Sequence, residues 1–247
     1  MNPTHQNFHT TRWTIVLQAR GDQPEARAAL SDLCEAYFNP VLRFLLREGK
    51  GKDEADELTQ AFFARILSSN GIRNVDPAKG RFRSYLLGAL KNFLSDLRRR
   101  EASQKRGGEA THESLDETGP ESSKELQIAD SSAAIPDAYF DHEWALAVMD
   151  RGLQVVESSF ARRDKSHHFE LLKTWLMGDE GTVSQEEAAA ELNLTPGAVK
   201  VAIHRMRKDF GEAIRSEIAQ TVDSPEEVAD ELRYLIEALS SARSSGP

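Results

Sequence analysis

A dense group of basic side chains lies between residues 79 and 106, in a chain that is acidic overall. Nine Lys or Arg and only two acids give this stretch a net charge of +7, whereas the whole chain carries −9. Guanidinium and ammonium groups attract phosphates, and local rather than total charge determines where a polyanion docks. The chemistry that this stretch offers is therefore the binding of a nucleic acid.

A second basic block follows much later in the chain, with a net charge of +4 over residues 196–208. The segments 109–143 and 209–247 carry −9 and −6. The positive charge is thus concentrated in two short blocks with an acidic segment between them. This distribution predicts two separate surfaces that bind nucleic acid.

The residue types that carry catalysis are not grouped in this sequence. There is no Gly-rich phosphate loop, no nucleophile elbow and no cluster of Cys and His. Cys34 is the only cysteine, and the adjacent His167 and His168 would face different directions on a helix. We therefore expect no enzymatic activity, no cofactor and no bound metal.

The basic stretch at 79–106 also has apolar residues at helical spacing, so a packed helix is expected to carry its charges. The same periodicity marks helices at 26–47, 53–68, 139–163 and 225–239, and strand-like alternation is scarce. Pro40 is expected to kink or divide the helix at 26–47, and Asp53 is expected to cap the next one. The predicted fold class is all-α.

In the helix at 53–68, Leu58, Phe62 and Ile66 are expected to bury one side. Phe63 should then point outward among acidic residues, which is unusual for a large aromatic. The alternative is an ordinary solvated face with Phe63 at the edge of the core. Periodicity alone does not separate these two interpretations.

The second basic block follows a pattern typical of a helix-turn-helix. Ser184 and Glu187 form a capping box, Thr195 is placed to cap a second helix, and Pro196 suits the first position of that helix. A basic second helix after a tight turn would enter the major groove of DNA. The alternative is a plain helical hairpin with a solvated basic face.

These patterns predict two helical domains, at 1–102 and 137–221. A flexible acidic linker at 103–136 joins them, and a C-terminal amphipathic helical extension follows at 222–247. No apolar run is long enough to span a bilayer and no signal peptide is visible, so a soluble cytoplasmic protein without a membrane partner is expected.

Three motifs together resemble the bacterial RNA polymerase sigma factors of the extracytoplasmic-function (ECF) type. The first is DEADELTQAFFARIL at 53–67, similar to the family helix that binds the clamp helices of the polymerase's largest subunit. By this resemblance the residues that contact core polymerase are Asp56, Glu57, Leu58, Gln60 and Phe63.

The second motif, RFRSYLLGALKNFLSDLRRRE at 81–101, is similar to the family helix that captures the melted −10 element. The family's usual Trp is replaced by Tyr85, and Asn92 matches the residue near a flipped base. The resemblance implies that the melted strand is bound by Arg83, Tyr85, Lys91, Asn92, Ser95, Arg98, Arg99 and Arg100.

The third motif, SQEEAAAELNLTPGAVKVAIHRMRKDF at 184–210, resembles the domain that binds the −35 element as duplex. Val201 stands where the family commonly has a small polar residue, and it offers contact with a thymine methyl group. The resemblance implies that the duplex is bound by Thr195, Lys200, Val201, His204, Arg205, Arg207 and Lys208.

The resulting functional hypothesis is a sigma factor that binds core RNA polymerase and promoter DNA and catalyses nothing itself. The alternatives are an autonomous helix-turn-helix regulator that needs no polymerase, and a helical protein–protein adaptor. Because such sigma factors are often held inactive, an anti-sigma factor is a further expected partner. A regulatory kinase is another, since the acidic linker contains Ser114, Thr118, Ser122 and Ser123.

Overall fold

The structure is a computed structural model that describes residues 12–19, 23–68, 81–106, 134–176, 183–222 and 224–243. These residues form nine α-helices and one 3₁₀ turn, and no strand occurs among them, so the predicted all-α class is confirmed. The elements are α1 (Arg12–Ala19), α2 (Pro24–Arg47), α3 (Lys52–Leu67), α4 (Phe82–Arg106), α5 (Ala134–Ala161), α6 (Ser166–Leu172), the 3₁₀ turn (Lys173–Trp175), α7 (Gln185–Glu191), α8 (Pro196–Ala219) and α9 (Pro225–Arg243).

Local sequence signals set several of the helix ends. The capping box is present at the start of α7, where the Ser184 side chain accepts from the Glu187 amide and the Glu187 carboxylate accepts from the Ser184 amide. The predicted cap at Asp53 is wrong, because Asp53 lies within the first turn of α3 behind an N-cap at Gly51. Of the two alternatives for Pro40, division of the helix does not occur, since α2 continues as one helix through this residue.

The upstream half of the structure, residues 12–106, packs around aromatic side chains. Phe62 of α3 and Phe82 of α4 are almost completely buried, as is Trp13 of α1. The ring centroid of Phe82 lies 5.1 Å from that of Trp13 and 5.0 Å from that of Tyr37 on α2. Burial of such large rings contributes most of the hydrophobic stabilisation available to a small helical unit.

The downstream half, residues 134–243, is built on a close approach between α5 and α8. A Cβ atom placed on Gly152 of α5 would lie 3.0 Å from Ile214 Cγ1 and 3.2 Å from Phe210 Cε2. The absence of a side chain at this one position therefore permits the two longest helices of this half to pack tightly. α7 packs against the N-terminal part of α8, and α9 packs on both α5 and α8.

The two halves share one continuous core. α2 packs on α5, where the Phe44 and Phe140 rings meet edge to face at 6.0 Å and Arg43 pairs with the buried Glu143 at 3.4 Å.

The residues that follow the C-terminus of α8 form further contacts between the halves. The Trp13 amide donates to the Gln220 carbonyl at 3.1 Å, and the Phe82 amide donates to the Thr221 carbonyl at 3.0 Å. Free amides at the start of α1 and α4 are thereby satisfied by carbonyls that follow α8.

The helices extend into the predicted acidic linker at both ends, since α4 continues to Arg106 and α5 begins at Ala134. Residues 107–133 of that linker, with Ser114, Thr118, Ser122 and Ser123, lie outside the described residues. None of the helices that the structure describes combines the length and the apolar character needed to cross a membrane.

Candidate nucleic-acid interface

The α7–α8 unit has the local geometry that its sequence predicts. α7 ends in a Schellman motif: the Leu194 amide donates to the Ala189 carbonyl at 2.9 Å, and Asn193 adopts a left-handed conformation with φ of 54°. Asn tolerates this conformation better than most residues. The Thr195 hydroxyl then caps α8 by accepting from the Ala198 amide at 3.2 Å. The turn thereby fixes the direction in which α8 leaves α7.

The outer face of α8 carries exposed basic side chains that no other described residue covers. Lys200, Val201, His204 and Arg205 are all exposed, and Val199, Ile203 and Met206 are buried on the other side. None of Lys200, His204 and Arg205 forms an ion pair with another described residue. This face therefore presents free cationic groups and an apolar contact at Val201 to an approaching polyanion.

The other predicted residues of this surface have partners within the protein. The Arg207 guanidinium donates twice to the Trp175 carbonyl, at 2.8 and 3.1 Å, and so ties α8 to the 3₁₀ turn. Lys208 is loosely paired with Glu212 at 3.7 Å. Arg207 thus has a structural role that the sequence did not predict, and Thr195 serves as the cap already described.

The exposed face of α4 carries Asn92, Ser95 and a run of three arginines at 98–100. Several of its charges are neutralised within the protein. Lys91 Nζ lies 2.6 Å from an oxygen of Asp137 on α5, and Arg98 pairs with Glu48 at 2.9 Å. Arg99 contacts Asp96 at 3.5 Å. Arg100 has no ion pair with any described residue, and Asn92 is accessible to a base.

Arg83 does not lie on this face, and the prediction that it is available to DNA is wrong for this conformation. Its side chain is 9% exposed and pairs with Asp141 of α5 and with Glu231 of α9. The guanidinium also lies over the ring of Tyr234, 4.4 Å from its centroid. Burial lowers the pKa of Arg83, but attraction to Glu231 and Asp141 outweighs burial and raises the pKa overall, so the group stays charged.

Tyr85 is also partly removed from solvent. Its ring lies 5.7 Å from the Trp13 ring and 6.2 Å from the Phe82 ring. Burial raises the pKa of its hydroxyl, so Tyr85 remains neutral near neutral pH. Tyr85 is half-buried, so only part of its side chain is accessible for the predicted contact with the melted strand.

The acidic face of α3 is accessible, but it is oriented differently from the prediction. Glu57 and Gln60 are exposed, Asp56 and Leu58 are half-buried, and Gln60 donates to the Asp56 carboxylate at 2.8 Å. The prediction that Phe63 points outward is wrong. Phe63 is 6% exposed, because its ring packs on Phe62 and on Phe38 of α2.

The acidic partners of the basic helix α4 were not predicted from the sequence. Asp141 and Glu231 appeared only as members of acidic segments, yet both are buried and contact Arg83. Their spacing at helical positions among Tyr139, Trp144 and Leu235 was the available signal, because a charge on an apolar face needs a partner. No group of three or more potential ligands is arranged to hold a metal ion in the described part of the chain.

Comparison with known families locates one domain. Residues 33–104 match the family model described as Sigma-70 region 2, and this range contains most of α2, all of α3 and nearly all of α4. No curated protein and no solved structure matches the chain. The matched range includes both the acidic face of α3 and the basic face of α4. The chain therefore contains a domain, within residues 33–104, that matches sigma-70 region 2.

Proposed function

We propose that this protein is a sigma factor of the ECF type that directs promoter-specific transcription initiation in the cytoplasm. In this proposal α3 binds the clamp helices of core polymerase, α4 holds the melted −10 strand, and α8 contacts the −35 element as duplex. The protein supplies binding specificity and performs no catalytic step of its own.

The observation that carries the proposal is the region 2 match, which falls on the helices that present an accessible acidic face and a basic face. The second support is the α7–α8 unit. Its outer face has uncovered Lys200, His204 and Arg205 next to an exposed Val201. Duplex binding by such a helix and single-strand binding by a basic, aromatic-flanked helix are different tasks, and a sigma factor needs both.

Run-off transcription with purified core polymerase tests the proposal. On a library of random promoters, core plus this protein should yield discrete transcripts, and the enriched templates should share two sequence elements at a fixed spacing. Core alone should yield none of them. Failure of the protein to bind core in a pull-down, or identical transcripts with and without it, would contradict the proposal.

We predict that Glu57→Lys weakens binding to core polymerase by about tenfold, equivalent to about 1.4 kcal/mol. Glu57 is exposed on the predicted polymerase face, so a reversed charge there should repel the site without disturbing the core. Titration of labelled protein with core polymerase measures the effect. Glu35→Lys, an exposed position on α2 outside that face, is the matched control and should leave the affinity unchanged.

Asn92→Ala should slow promoter opening by roughly tenfold, within the range of about 1–3 kcal/mol for one lost base contact. Asn92 is exposed on α4, so its loss should leave folding and core binding intact. Stopped-flow fluorescence of a base analogue in the −10 element would follow opening. Ser84→Ala, also exposed on α4, is the control. Opening at the normal rate in Asn92→Ala would contradict the assignment of this residue.

A further inference from the structure

The turn that joins α5 to α6 has the same geometry as the turn that joins α7 to α8. The Lys165 amide donates to the Phe160 carbonyl at 3.0 Å, and the Asp164 amide donates to the Ala161 carbonyl at 3.0 Å, so this turn is also a Schellman motif. Asp164 is left-handed with φ of 54°, as is Asn193, and no other non-glycine residue in the described part of the chain has a positive φ. The backbone at this turn is therefore well defined without a glycine.

The α5–α6 turn, residues 162–165, lies beside the end of the α7–α8 unit at which α8 begins. His167, just after the turn, has its Nε2 3.1 Å from a carboxylate oxygen of Glu191. Glu191 is the last residue of α7, and only four residues separate it from α8. The other end of this unit is marked by Arg207 of α8, which donates to the Trp175 carbonyl. The two Schellman turns are therefore neighbours at the N-terminal end of α8.

Two cations of the α5–α6 turn are exposed and form no ion pair with another described residue. They are Arg162 and Lys165. Arg163 between them is held by the protein itself, since its guanidinium donates to the Ser159 carbonyl and hydroxyl and lies over the Phe160 ring. Among the described residues, the positive charge that this turn can offer to a polyanion therefore comes from Arg162 and Lys165.

Two of the acids next to the turn are neutralised by other side chains. Glu170 pairs with Lys173 at 2.6 Å, and Glu191 pairs with His167 when that imidazole is protonated. Asp164 is exposed and has no ion pair with a described residue. Its carboxylate opposes the approach of a polyanion, so the loss of this charge should strengthen any phosphate contact at the turn.

We propose that the α5–α6 turn is a second contact with duplex DNA, in which Arg162 and Lys165 bind backbone phosphates that flank the sequence contacted by α8. The inference rests on the proposed function, because it extends the duplex surface assigned to α8. A recognition helix enters a groove about 12 Å wide, and the segments beside its N-terminal half come closest to the strands that border the groove. Arg and Lys side chains there bind phosphates and fix the register of the protein without contacting bases.

Two properties distinguish this contact from that of α8. Its contribution to affinity does not depend on base sequence, whereas the contribution of α8 changes with the −35 sequence. It also requires phosphates outside the −35 element, so it is lost when the duplex is shortened to the element itself. Duplex length therefore separates the two surfaces experimentally.

Titration of the complex with core polymerase on two duplexes tests the contact. The short duplex contains the −35 element alone, and the long duplex adds one helical turn, about 10 base pairs, on each side. On the long duplex, Arg162→Ala, Lys165→Ala should weaken binding by about tenfold and reduce the salt slope by about 2. On the short duplex the same variant should bind within about twofold of the wild type. Asp164→Asn retains a residue that tolerates the left-handed conformation, and it should bind the long duplex about two- to threefold more tightly.

The matched control is Arg27→Ala, Arg215→Ala, which removes the same charge from exposed positions on α2 and on the C-terminal part of α8. It should bind both duplexes within about twofold of the wild type. Equal losses for the control and for Arg162→Ala, Lys165→Ala would overturn the inference, because general electrostatic attraction would then explain both. An Arg162→Ala, Lys165→Ala protein that binds the long duplex normally, or that loses affinity equally on both duplexes, would overturn it as well.

Neutral methylphosphonate linkages, introduced one at a time into the long duplex, locate the contact. In the wild type, one or two positions outside the −35 element should weaken binding. At those positions Arg162→Ala, Lys165→Ala should show no additional loss, since the charge pair is already absent. If every sensitive phosphate lies within the element, the second contact does not exist.

The outcome can be separated from that of the proposed function. Wild-type protein that supports transcription with core, while Arg162→Ala, Lys165→Ala binds the long duplex normally, would overturn the second contact alone. Wild-type protein that fails to bind core would overturn the proposed function. Arg162 and Lys165 are exposed, so the variant should fold normally, and an unchanged circular dichroism spectrum verifies this.

Discussion

Replacing Arg83 with Met should lower the free energy of unfolding by about 3 to 5 kcal/mol, the usual cost of removing one partner from a buried ion pair. Asp141 and Glu231 are 7% and 2% exposed at their side chains, and each would lose a guanidinium partner without gaining water. Tyr234 would also lose the cation above its ring. Urea denaturation monitored by circular dichroism measures the change.

Two comparisons make this prediction specific. Arg100→Met removes an exposed arginine from the same helix, and it should change stability by no more than about 0.5 kcal/mol. The triple variant Arg83→Met, Asp141→Asn, Glu231→Gln removes the stranded charges, and it should recover part of the loss. An Arg83→Met protein as stable as the wild type would mean that α9 does not cover α4 in solution.

The double variant Lys200→Ala, Arg205→Ala should weaken binding to promoter duplex by at least about 30-fold, taking about 1–3 kcal/mol for each lost contact. Both side chains are exposed on the outer face of α8 and neither is paired with a described residue, so their removal subtracts only intermolecular interactions. The slope of log affinity against log salt should also become shallower, by about 2 if both contact phosphates. Titration of the polymerase complex on a −35 duplex measures both quantities.

The control for charge is Arg27→Ala, Arg215→Ala, which removes two exposed arginines from α2 and from the rear part of α8. It should leave affinity within about twofold and the salt slope nearly unchanged. If both double variants lose affinity equally, general electrostatic attraction and not the α7–α8 unit would account for duplex binding.

Much of the fold followed from the sequence because its determinants are local. The capping box at Ser184 and Glu187, the cap at Thr195 and the Pro196 start of α8 each depend on residues within four positions of one another. Periodicity placed the long helices correctly for the same reason. The uncovered cations of α8 were likewise predictable, since the buried stripe of that helix fixes the opposite face.

The misplaced residues depend on contacts that are distant in sequence. Phe63 was expected on the surface, but Phe38 of the preceding helix covers it, and periodicity within α3 carries no information about a neighbour. Arg83 was counted with the DNA face because the charge of a segment does not say which side chains are paired. Its partners lie 58 and 148 residues further along the chain.

The position of α8 between the two halves has a mechanical consequence. α8 has 24 residues and is therefore about 36 Å long. Its exposed cations lie near its N-terminus. Just beyond its C-terminus, the Gln220 and Thr221 carbonyls accept hydrogen bonds from the Trp13 and Phe82 amides. A tilt of about 3° over that length displaces one end by about 2 Å, more than a 3 Å hydrogen bond tolerates. Binding of the N-terminal part of α8 in a DNA groove therefore strains the hydrogen bonds that Gln220 and Thr221 accept beyond its C-terminus. Binding of duplex DNA and breaking of these contacts between the two halves are thus energetically coupled.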